Sequence, residues 1–257
     1  MTGFIEHFRR PPWRALLSIS AAGYAIWLLG LIGVLPATLC AGGVDWPDGA
    51  DIWAGIEATL TLNSPSSLLT AWSVMLVAMM PPLVAAPIMH VQQSSLVRRR
   101  ARAVTGFVAG YSIVWLAMGV PLGLAALQTQ AAFGRLAFPL AVAMALLWSA
   151  SPAHRRLLNR AHRIPPISLF GMRADGDCLA LGLDHGLLCA ATCWAWMLVP
   201  LLAGDWHFGA MLATGMVLLA ERLSLPRAAR WRMPVAMAFA VHLREHLGPL
   251  VSNRPHG

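Results

Sequence analysis

Uncharged apolar runs separated by short arginine-rich segments organise this chain. A bilayer-crossing helix needs about 20 predominantly apolar residues. Ala15 to Leu35, Leu68 to Met89 and Val104 to Leu127 each meet that requirement without a charged side chain. Gly186 to Gly204 is a fourth such run, entered from about Leu179, and Leu136 to Ala150 and Trp206 to Ala220 are shorter but continuous. Met233 to Leu250 begins apolar and is then interrupted by His242, Arg244, Glu245 and His246, which reads as a short or interfacial helix. The pattern predicts an all-α, polytopic transmembrane bundle of about six spans plus a short C-terminal helix. No repeat or composition shift divides the chain, so residues 1–257 read as a single integral membrane domain.

Composition supports the same class. Apolar residues make up 58% of the chain and charged residues 12%, where soluble domains carry roughly 25% charged residues. A water-soluble globule is excluded, and so is a soluble nucleic-acid binder despite the net charge of +8. The basic residues are all arginine, and 16 of the 19 fall in four groups: before the first span, between the second and third, after the fourth and after the sixth. In a six-span chain these groups share one side, which by the positive-inside rule is cytoplasmic. The expected location is a bacterial inner membrane, with the N-terminus in the cytoplasm and the segment holding Asp45, Asp48 and Asp51 outside. The first run is too long for the apolar core of a signal peptide and reads as an uncleaved anchor. The stretch Ala37 to Cys40 does not fit a lipoprotein cleavage site, because Leu39 stands where a small residue is wanted.

Candidate chemistry concentrates on the fifth run. His185, Cys189, Cys193 and Met197 follow one another at intervals of four, so neighbouring pairs share a helix face. Thiolate and thioether suit Cu(I), and imidazole also suits Zn(II) or Cu(II). The outer two residues lie about 18 Å apart along the axis, so an ion can use only two or three of the four and must complete its shell from another helix. Cysteine and methionine also pack well in helix interfaces, and the residues alone leave ligation and packing open. The second run supplies Met79 and Met80, directly before Pro81 and Pro82, where a helix must kink or open. Glu221 ends the sixth run and is a candidate partner for His185 or for Arg222. Walker, GxGxxG, HExxH and CxxC motifs are absent, and no acid–base constellation suggests an enzyme.

Ala78-Met79-Met80-Pro81, Gly110-Tyr111 with Trp115, Asn159-Arg160-Ala161-His162-Arg163, His185-Gly186 with Cys189 and Cys193-Trp194, and Glu221-Arg222 occur in this order. As a set they resemble a bacterial family of predicted metal-binding integral membrane proteins built on a domain of unknown function. The resemblance covers about residues 72–225. It implies metal binding, with copper the leading cargo and zinc less suited. The implied ligands fall on Cys189, Cys193, His185, Met197, Met79, Met80 and Glu221. Family members often carry cysteine where this chain has Leu158, Ala161 and Thr192, so a second thiol site is not expected. The function implied is binding of Cu(I) for metal handling or delivery, with a metal-donor or acceptor protein as partner beside the lipid bilayer. Alternatives are a membrane redox enzyme or subunit using the same residues, and a structural membrane subunit without metal.

Overall fold

The structure, a computed structural model, describes residues 12–31, 64–168, 171–226 and 228–234, together with Trp53, Glu57, Thr61, Ala236 and Met237. Within these the chain is helical, with no strand. The helices are α1 (Trp13–Leu31), α2 (Pro65–Met79), α3 (Ala85–Ser94), α4 (Arg100–Phe133), α5 (Ala137–Ala150), α6 (Pro152–Ala161), α7 (Gly171–Leu201) and α8 (His207–Leu223). Sequence chemistry sets their boundaries. Ser64 and Ser151 cap α2 and α6 by accepting from the backbone N–H of Ser67 at 3.2 Å and of His154 at 3.1 Å, and a proline opens each helix. Gly134, at φ 49°, closes α4 in a conformation that disfavours side chains.

Fewer helices reach spanning length than the apolar runs suggest. Among the described residues two stretches are long and apolar enough to cross a membrane, Val97–Ala150 and α7. A third is reached if α2 and its continuation to Ser94 count as one span bent by 55°. The expectation of about six is corrected for physical reasons. The 14 residues of α5 rise only about 21 Å and the 17 residues of α8 about 25 Å. Beyond Ser151 the chain turns into the arginine-bearing α6 and adds no apolar length. The end of the first run, Cys40, the segment with Asp45, Asp48 and Asp51, and most of the 233–250 element lie outside the described residues.

Helix α7 is the centre of the packing, with 17 buried residues along its length. It lies against α4 in parallel, because contacts advance along both helices together: Gly106 meets Cys178, Gly110 meets Leu179 and Leu183, and Gly186 meets Val114 and Tyr111. The approach is close enough that a methyl group at Gly182 would overlap the Phe107 carbonyl, and one at Gly110 would lie 2.9 Å from Leu183 N. Arg99 and Arg102 clamp the start of this pair through Asp175, at 2.7 and 2.9 Å. On the other side α1 packs antiparallel to α2, where Ser20 donates to the Ala78 carbonyl, and reaches α8 through Tyr24 and the Met211 carbonyl at 3.3 Å. The arginine-bearing ends gather at one end of the bundle, where His90 meets the Pro165 carbonyl at 3.2 Å and His162 meets that of Arg222 at 3.3 Å.

Small residues at a crossing let two backbones touch, and a side chain forced between them costs about 1–3 kcal/mol or more. Gly182→Val should therefore lower the thermal midpoint of the detergent-solubilised protein well below that of Gly176→Val, whose site on the same helix has open space around it. Equal midpoints for the two variants would mean that the α4–α7 contact is not close.

Candidate metal centre

Three helices and one helix break meet at a buried group of sulfur atoms. Cys189 and Cys193, one turn apart on α7, place their Sγ atoms 3.7 Å from each other. Both thiols are free and buried. Tyr111 comes from α4 across the glycine contact, and its Oη lies 3.3 Å from Cys189 Sγ and 3.5 Å from Met80 Sδ. Its single proton can be given to either sulfur, so the hydroxyl bridges the thiol pair and the thioether. Tyr111 is held by its own helix face, between Phe107 at 6.3 Å and Trp115 at 6.5 Å between ring centroids. Trp115 is tied in turn to α2, because Trp72 Nε1 donates to its carbonyl at 2.8 Å.

Met80 owes its position to the proline pair that follows it. Its N–H still bonds the Leu76 carbonyl at 2.8 Å, closing α2, and its own carbonyl accepts from Leu83 at 3.0 Å. Pro81 and Pro82 have no N–H to continue an α-helix, so residues 81–84 tighten into a 3-10 turn before α3 sets off in a new direction. The bend leaves Met80 at the inner corner, 4% exposed.

Arg222 approaches from α8. Its Nη2 donates to Thr192 Oγ1 at 3.4 Å, and that hydroxyl is 3.6 Å from Cys193 Sγ. A cavity of about 100 Å³ adjoins the group, lined by His162, His185, Arg222, Trp13 and Pro82 among others. His185 faces this cavity, with its ring 6.3 Å from that of Tyr111.

Two sulfurs 3.7 Å apart, each at a metal–sulfur distance of roughly 2.3 Å, subtend roughly 110° at a common ion. That bite suits a trigonal or tetrahedral shell and requires at least one more ligand. Among the described residues no three His, Cys, Asp or Glu side chains are grouped to hold a metal. Among the described residues the other soft donor at hand is Met80, linked to Cys189 through the Tyr111 hydroxyl.

A family profile described as PpoB2, copper chaperone, matches residues 69–243. The chain belongs to the PpoB2 copper-chaperone family. That range contains the cysteine pair, Met80, Tyr111 and Arg222. No curated protein and no solved structure matches the chain.

In this PpoB2-family chain the residues singled out from the sequence divide into two groups. Cys189, Cys193 and Met80 come together, and His185 lines the adjoining cavity. Met79 and Met197 are fully buried in the core, at 2% and 0% exposure, without a polar contact to the sulfur group. Glu221 does not reach His185. It lies 3.4 Å from His154 Nε2, the two side chains nearly excluded from solvent. Three participants were not read as such from the sequence. Tyr111 drew notice only as a member of the motif set, Arg222 only as a neighbour of Glu221, and Thr192 only as a missing cysteine. The glycines at 106, 110, 182 and 186, spaced by four on both partner helices, were the available signal that these helices touch.

Proposed function

We propose that this protein is an integral membrane copper chaperone, which holds Cu(I) between Cys189, Cys193 and the Met80 thioether and passes it to an acceptor protein. The observation that carries the reading is the bridging of a buried dithiol and a thioether by one tyrosine hydroxyl, in a chain of a copper-chaperone family. A thioether adds to Cu(I) but is a poor ligand for Zn(II). Ion entry releases the thiol protons, so binding weakens as pH falls. Tyr111 then keeps its proton for Met80 or for a bound thiolate, and the ion takes the space between the sulfurs. The cavity is the approach, where His185 meets an incoming ion one helical turn before the thiols. Met79, Met197 and Glu221 stand outside the first set of ligands and shape its surroundings. A chaperone must release its cargo, and a two-thiolate, one-thioether shell allows this by exchange, a donor of the acceptor replacing the weakly held thioether.

The double variant Cys189→Ser with Cys193→Ser should lose bound copper after anaerobic Cu(I) loading while remaining folded in detergent, and Met80→Leu should retain copper at about tenfold or more weaker affinity. Equal copper content in wild type and the double variant would remove the site.

The membrane setting belongs to the same proposal. The long apolar helices and the arginines gathered at one end support a bacterial inner membrane protein with a cytoplasmic N-terminus. A topology reporter fused after Arg102 should then report cytoplasm and one near Asp48 the exterior; exchanged signals would reverse the orientation.

A further inference from the structure

Resting on the copper reading above, we propose that Arg222 determines metal specificity by charge, so that the cysteine pair accepts a soft monovalent cation and rejects a divalent one. The geometry of the pair does not itself choose, since a sulfur separation of 3.7 Å serves Cu(I) and Zn(II) alike. The charge beside it does. The guanidinium donates to Thr192 Oγ1 at 3.4 Å, and that hydroxyl lies 3.6 Å from Cys193 Sγ, so the charge stands beside the pair. Its Nε is buried without a hydrogen-bond partner. The ion pairs among the described residues are Arg99–Asp175, Arg102–Asp175 and His154–Glu221, so no carboxylate among them neutralises Arg222. Glu221, its neighbour in sequence, is turned toward His154. An arginine side chain does not lose its proton in a protein, so this partly buried positive charge is permanent.

The charge balance follows. Cu(I) entering the dithiol displaces two protons to solvent and forms a bis-thiolate complex of charge −1. With the guanidinium, the assembly is neutral, and the Met80 thioether adds no charge. Zn(II) displacing the same two protons forms a neutral complex and leaves Arg222 without a counter-charge, facing a more positive metal. An unpaired charge in a low-dielectric interior is costly. One unit of charge about 5 Å away, at an effective dielectric constant of about 20, changes relative affinity by roughly 300-fold.

The test uses the full-length protein in detergent under anaerobic conditions, with Cu(I) and Zn(II) dissociation constants measured by competition with chromogenic chelators. The preference of wild type for Cu(I) over Zn(II) should shrink by roughly 300-fold in Arg222→Gln and be retained in Arg222→Lys. Arg222→Met makes the same measurement with an apolar side chain should the buried glutamine impair folding. An unchanged preference in a folded Gln or Met variant overturns the role of Arg222 while leaving the copper site standing. A wild type that binds no Cu(I) overturns the copper reading and this inference together.

Discussion

The close approach of α4 and α7 is the constraint on which the remaining geometry depends. With glycine at 110, 182 and 186 the two backbones meet without intervening side chains, and Tyr111 is delivered to within 3.3 Å of Cys189. Small residues at such a crossing let the two backbones make van der Waals contact directly. The parallel direction matters as much as the distance. It puts the arginine-bearing start of α4 beside that of α7, where Asp175 binds Arg99 and Arg102, and so fixes the register that sets Tyr111 opposite the cysteines.

A second constraint, independent of the first, supplies the third sulfur. The Pro81–Pro82 break interrupts α2 where the chain passes the α4–α7 seam, and the corner residue is a methionine. The Trp72–Trp115 bond fastens that corner to α4. Tyr111 is thus positioned from both sides, by its own helix and by the broken one, and its hydroxyl is where the two constraints meet. Of the polar groups that face one another here, Thr192, Tyr111 and the two thiols find partners within the bundle, and Arg222 bonds Thr192 while its Nε stays unpartnered.

What the sequence made legible was periodic or local. The interval of four from His185 to Met197 placed the two cysteines on one face, and the proline pair marked the break beside Met80. The all-helical character followed from the apolar runs. Legibility failed where the outcome depends on one helix meeting another. The pairing of Glu221 with His154 instead of His185 depends on how α6 folds back after Ser151, which no periodicity encodes. Arg222 looked like an interfacial charge because it follows an apolar run, yet α8 turns it inward to Thr192. The count of spans was too high because apolar composition does not distinguish a long continuous helix from short segments. α5 has only 14 residues, and α8 stops at 17.

X-ray absorption at the copper edge, on full-length protein loaded anaerobically with one equivalent of Cu(I), examines the central claim most directly. The account predicts an edge characteristic of Cu(I) and a first shell of sulfur alone, about three atoms at roughly 2.3 Å. In Met80→Leu that shell should fall to about two sulfurs. A first shell containing nitrogen from His185, or one indistinguishable between wild type and Met80→Leu, would contradict the account.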